Sequence, residues 1–177
     1  MKAMPIKVQY EIFDTQHVAP VLQTRDRQLA SIEFNGLIRK GGDTYRLQQT
    51  PMADGALTKA EQYLMLVYRV RKLWRQYFDQ GRDHNVLLAS VEKEKELDDW
   101  NSRTQSFIDT HPGYKPSDAQ SHAFFVIVQE WRRTWKERKN YSKRKDCDER
   151  VLAEISRKCR DFEKQIDKYI KDKLHLI

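Results

Sequence analysis

The stretch Thr58–Phe78, TKAEQYLMLVYRVRKLWRQYF, is where the apolar pattern of the chain changes from a period of two to the period of a helix. Thr58 can cap the first turn, and Glu61, three residues on, can return a bond to the Thr58 backbone. Ala60, Tyr63, Leu64, Val67, Val70, Trp74, Tyr77 and Phe78 cover a wide arc of the helical wheel, and Leu66 and Leu73 widen it. A helix apolar over that much of its circumference sits centrally. The spacing predicts a helix to about Gln80, with Gly81 as its stop.

Upstream, Ile6, Val8, Tyr10 and Ile12 alternate with Lys7, Gln9 and Glu11, the pattern of a half-buried strand ending at Phe13. After Pro20 and Arg25-Asp26-Arg27, alternation returns as Ile32, Phe34 and Ile38, then as Tyr45 and Leu47 beyond Lys40-Gly41-Gly42-Asp43. The paired glycines predict a tight hairpin turn between those two runs. Because two strands alone are marginal, a third strand or a covering helix must bury the apolar face. Gln48 to Leu57, with Pro51 and Gly55, reads as a connector.

Downstream, a second helix is expected from around Asn85 to roughly Asp109, with Leu97, Trp100, Thr104 and Phe107 on one side and an acidic middle of Glu92, Glu94, Glu96, Asp98 and Asp99. Pro112-Gly113 and Pro116 break the chain. Ser117-Asp118-Ala119-Gln120 offers a capping box for a third helix through Phe124, Val128, Trp131 and Trp135, which either continues over Asn140 to Lys145 or gives way there to a basic loop. A fourth helix, about Asp148 to Leu174, places Leu152, Ile155, Cys159, Phe162, Ile166 and Tyr169 in a seam for one partner helix, within the chain or in another molecule.

These elements predict an α+β fold, mainly helical: a small N-terminal antiparallel sheet of about three strands, residues 1–57, packed on a four-helix bundle, residues 58–177, as one integrated domain. A chain of 177 residues with 39% hydrophobic and 11% aromatic content has the material for a core without disulfides or metal. Cys147 and Cys159, read as lying in one C-terminal helix, are twelve residues and so about 18 Å apart along it, too far to bridge. Free thiols suit a reducing compartment, and no apolar run is long enough to span a bilayer, so the expectation is a cytoplasmic protein with no membrane partner.

The net charge of +7 is concentrated in one place. Residues 132–145 hold Arg132, Arg133, Lys136, Arg138, Lys139, Lys143, Arg144 and Lys145 against Glu137 alone, which equals the charge of the whole chain. On the wheel Arg132, Lys136, Lys139 and Lys143 fall within about 60° of one another, beside an arc of Phe124, Val128, Trp131 and Trp135. Arg133 and Arg144 flank them. Such a stripe suits a polyanion, because cations attract phosphates and released counterions drive association. The opposing reading is that the acidic middle of the second helix neutralises it within the same fold.

No signature of enzyme chemistry stands beside this. His17, His84, His111, His122 and His175 are scattered without metal-ligand spacing, no CxxC pair is present, and no phosphate-cradling or serine-nucleophile motif occurs. Asp98-Asp99 could be imagined on a divalent cation, but neighbours on a helix diverge by about 100°. No cofactor or metal is expected. The sequence therefore predicts a non-catalytic interaction or assembly protein whose basic face, Arg132, Arg133, Lys136, Lys139, Lys143 and Arg144, contacts a polyanion, nucleic-acid backbone foremost. The alternative is a structural subunit or adaptor that meets an acidic protein surface or its own copy through the seam Leu152, Ile155, Phe162, Ile166 and Tyr169, or through a sheet edge. An enzyme with a dispersed site is the third reading.

Overall fold

The computed structural model describes residues 6–41, 44–79 and 87–177, the side chains of 76–79 and 87–94 excepted. Among the described residues three strands and five helices follow in the order β1 (Ile6–Asp14), β2 (Pro20–Thr24), α1 (Arg27–Gly41), β3 (Tyr45–Ala53), α2 (Lys59–Asp79), α3 (Leu87–Thr110), α4 (Ala119–Ser142) and α5 (Glu149–Lys173). The fold is mainly helical α+β with an N-terminal antiparallel sheet, as the sequence predicts. It divides into two compact units, one of residues 1–57 with 170–177, the other of residues 58–169. The break after Leu57 is where the period of the sequence changes.

In the first unit β1 is the central strand, with β2 and β3 antiparallel on either side. The even residues of β1, Ile6, Val8, Tyr10 and Ile12, are buried, and Lys7 on the opposite face is exposed. Direct cross-strand partners share a face. Leu22 opposite Ile12, and Leu47 and Pro51 opposite Ile12 and Val8, therefore extend the buried side. Ala30 of α1 packs with Val8 and Tyr10, and Leu47, Leu176 and Ile177 close over that cluster. The last residues are tied down by polar bonds: the Tyr10 hydroxyl donates to the His175 carbonyl at 2.7 Å, and the Ile177 amide donates to Gln49 Oε1 at 2.6 Å.

Two expectations for this unit are corrected. The segment holding Ile32, Phe34 and Ile38 is a helix, not a strand, so no hairpin joins it to β3. The Asp26 carboxylate accepts from the amides of Gln28 and Leu29 at 2.9 and 3.1 Å, an N-cap that nucleates α1. The inward residues then repeat at helical spacing as Ala30, Phe34 and Leu37, while Ile32 is left 70% exposed. Gly41 serves a different purpose from a turn: a Cβ there would lie 2.8 Å from the Tyr45 ring, so the glycine admits that ring. The other correction concerns Pro51, which sits inside β3 rather than in a connector. Because β3 is an edge strand, proline's missing donor can be tolerated there.

In the second unit the Thr58–Glu61 capping box forms as the spacing predicts, the Thr58 amide donating to Glu61 at 2.8 Å and the Glu61 amide to the Thr58 hydroxyl at 3.3 Å. Side chains of α2 meet all three other helices. Tyr63 packs on Phe107 of α3 and on Phe124 and Phe125 of α4, and Trp74 meets Trp131 and Trp135 edge-on at 5.6 and 4.5 Å. The order of these contacts makes α2 and α4 parallel, while Phe124 stacked on Tyr169 and Arg138 bonded to Ser156 make α5 antiparallel to α4. α4 is capped by Asp118, whose carboxylate takes the Ser121 amide at 2.8 Å, one residue later than the box expected at Ser117. It ends at Ser142, so Lys143 to Asp148 form a loop, and Cys147 lies there rather than in the helix with Cys159; both thiols are free.

Expectations for Gly42, Gly81, His84 and Asn85, and for the side chains of Glu92 and Glu94, lie outside the described residues. Among those described, no helix is long and apolar enough to cross a membrane. Replacing Asp26 with alanine removes both N-cap bonds of α1 and is expected to lower stability by about 1 kcal/mol, read from the shift of a chemical denaturation midpoint. An unchanged midpoint would mean that the cap does not hold the helix.

Candidate functional site: the basic face of α4

The inward face of α4 is set by its aromatic residues. Phe124, Val128 and Trp131 are buried, as is Thr134, whose hydroxyl donates to the Glu130 carbonyl at 2.8 Å. Trp131 lies against the guanidinium of Arg71, 5.3 Å from its ring centre. Arg71 is a charged side chain only 3% exposed. Its Nε and Nη2 each donate to Asp167 of α5 at 2.9 Å, a two-point fork, while Nη1 lies 3.7 Å from Glu163, too far for a hydrogen bond. Glu163 in turn accepts from the Trp131 indole nitrogen at 3.2 Å. One buried cation thus joins α2, α4 and α5.

Sequence reading missed Arg71, which sits among apolar positions of α2 and carries no motif. A signal was present: Val67, Val70 and Trp74, at spacings of three and four from Arg71 or beside it, put Arg71 on the wide apolar arc of the helix, where a charge is buried. The predicted seam of α5 is turned inward by the same packing. Ile155, Cys159 and Ile166 are buried, Leu152, Phe162 and Tyr169 are half-buried, and Tyr169 stacks on Phe124 at 4.2 Å. The Cys159 thiol is held above its ordinary pKa by burial first and then by the charge of Glu163.

The six predicted polyanion contacts separate into three groups. Lys136, Lys139 and Lys143 are exposed, and their ammonium groups form no ion pair among the described residues. Arg133 pairs with Glu130 one turn earlier on the same helix, and Arg144 makes a two-point pair with Asp146 in the following loop, at 3.0 and 2.7 Å. Arg132 is half-buried, its Nη1 enclosed without a hydrogen-bond partner among the described residues. Burial draws the Arg132 guanidinium below its ordinary pKa, against the pull of Tyr63 and Asp109. The structure therefore leaves the three lysines exposed and half-buries Arg132.

The acidic stretch of α3 does not meet this face through the residues described. Asp99 pairs with Arg103 of its own helix at 3.0 Å, and Glu96 acts on Lys72 of α2, where it opposes a downward shift caused mainly by burial. Glu96 and Asp98 are exposed and hold no ion pair among the described residues. Asp98 and Asp99 do not converge on a cation site: among the described residues no group of three or more His, Cys, Asp or Glu is placed to hold a metal ion. His111 is structural, its Nδ1 at 2.7 Å from the Phe107 carbonyl and its ring stacked on Phe107.

No protein-family model matches the chain, and neither a curated protein nor a solved structure matches it.

Removing one partner of a buried ion pair leaves the other uncompensated, which costs about 3–5 kcal/mol. Asp167→Ala, which strands Arg71, is expected to destabilise the protein by that order in chemical denaturation. Asp161→Ala, at an exposed position of the same helix, should stay within about 0.5 kcal/mol of the parent. Equal effects of the two would show that Arg71 is not held as described.

Proposed function

We propose that the protein is a non-catalytic interaction protein that binds a polyanion, nucleic-acid backbone in particular, through the lysines on the outer side of α4. The observation that carries this reading is the row Lys136, Lys139 and Lys143, exposed and without a carboxylate partner among the described residues. From Lys136 to Lys143, the C-cap of α4, seven residues at helical rise cover about 10.5 Å. A duplex carries about one negative charge per 1.7 Å of axis, so a length matching the row offers about six phosphates. Lysine ammonium groups on flexible stems follow such a charge array without fixed geometry.

Arg133 and Arg144 can join, because Glu130 and Asp146 hold them at the surface, where salt and competing anions weaken ion pairs. The contact reads charge and shape rather than base sequence, since phosphate contacts position a protein without carrying sequence information. Two free cysteines fit a reducing, cytoplasmic setting for this role.

With three phosphates neutralised, affinity for duplex DNA should fall about 40-fold between 50 and 200 mM salt, from a slope near −0.9 per contact. The double variant Lys136→Glu with Lys143→Glu is expected to lose retention on duplex DNA, measured by filter binding, at an unchanged melting temperature. Undiminished binding by that variant would reject the reading.

A further inference from the structure

Helices α2, α4 and α5 enclose a second feature, a cleft of about 330 Å³ on a side of α4 away from the lysine row. Four arginines line it: Arg71 and Arg75 from α2, Arg138 from α4 and Arg160 from α5. The lining holds a single carboxylate, Glu163, and that group is already engaged by the Trp131 indole and by the charge of Arg71. Arg71 is almost wholly buried and still has Nη1 without a hydrogen bond among the described residues. Arg138 is fixed in place, its Nε donating to the Ser156 hydroxyl at 2.7 Å and its guanidinium 5.5 Å from the centre of the Trp135 ring. Arg75 and Arg160 are exposed and make no hydrogen bond or ion pair among the described residues.

We infer that this cleft is a binding site for a small phosphate monoester. Arg75 and Arg160, which meet no carboxylate among the described residues, and the Nη1 of Arg71, which the fork to Asp167 leaves over, call for an anion with several acceptor oxygens. A phosphate monoester brings three of them and a charge of about −1.5 to −2 near pH 7. The same wall is also apolar. Trp74 and Trp135 meet edge to face at 4.5 Å and Cys159 stands beside them, a surface suited to the organic part of an ester and of no use to a bare ion. A volume near the lower end of the 300–1,000 Å³ range common for ligand pockets limits the occupant to a small molecule. This site is independent of the lysine row and of the function proposed for it.

Isothermal titration calorimetry of the full chain tests the assignment with adenosine 5′-monophosphate, ribose 5-phosphate, inorganic phosphate and adenosine as probes. At least one of the two esters should bind saturably with a Kd below about 1 mM, at least tenfold more tightly than inorganic phosphate or adenosine. Arg75→Ala with Arg160→Ala should weaken that binding at least tenfold. Both side chains are exposed and make no hydrogen bond or ion pair among the described residues, so the melting temperature should not change; the single variant Arg160→Glu provides a second arm with the same expected loss. Lys136→Glu with Lys143→Glu should leave ester binding intact, which separates this site from the polyanion face. The proposal is overturned if neither ester binds, if inorganic phosphate or adenosine binds as tightly, or if the arginine variants bind like the parent.

Discussion

The helical unit is organised around a guanidinium that cannot shed its charge. Arginine stays protonated in proteins, so burying Arg71 carries a desolvation cost that only good geometry offsets. Here it is met by the two-point fork from Asp167, the face of Trp131 and the nearby charge of Glu163. A fork of that kind has little tolerance for sliding or rotation. It sets the register of α2 against α5, and the Trp131 bond to Glu163 extends the constraint to α4. With Trp131 and Trp135 turned inward, helical geometry places Lys136 and Lys139 about a quarter-turn away on the flank of α4, and Lys143 follows at its C-cap.

The two kinds of cation are used differently along the same helix. Arginine is weakly hydrated and planar, and it is the residue found in partial burial: Arg71 beneath Trp131, Arg138 against Trp135 and Ser156, Arg132 behind Tyr63. Lysine is strongly hydrated and stays in water. The charge surplus within residues 132–145 is thus less uniform than a count implies. Part of it is spent on packing, part on local pairs with Glu130 and Asp146, and the remainder forms the lysine row.

Much of this was legible in the amino-acid sequence, for reasons that differ by element. The strand at Ile6–Ile12 and the helix from Lys59 were readable because each buries a face at its own period and, in the helix, because Thr58 and Glu61 mark the start. α1 was misread because Ile32, Phe34 and Ile38 are spaced at even intervals that fit a strand, while the deciding contributions come from Asp26 and from Ala30, a residue too small to stand out. β2 was missed because five residues beginning with proline carry almost no periodic signal and gain their partners from β1. On α4 the angular spacing groups Arg132 with Lys136, Lys139 and Lys143 and does not tell them apart. The withdrawal of Arg132 and the role of Arg71 depend on neighbours far away in sequence, which no local pattern reveals.

The central claim is that the cationic row at the C-terminal part of α4 is available to a ligand, because no carboxylate among the described residues pairs with it. Lysine-selective acylation of the native protein, quantified site by site by mass spectrometry, tests this directly. The account predicts that Lys136, Lys139 and Lys143 acylate as readily as fully solvated lysines in the free protein and become protected together when duplex DNA is added at low salt. Protection of these three lysines in the protein alone, or acylation unaffected by DNA, would contradict it.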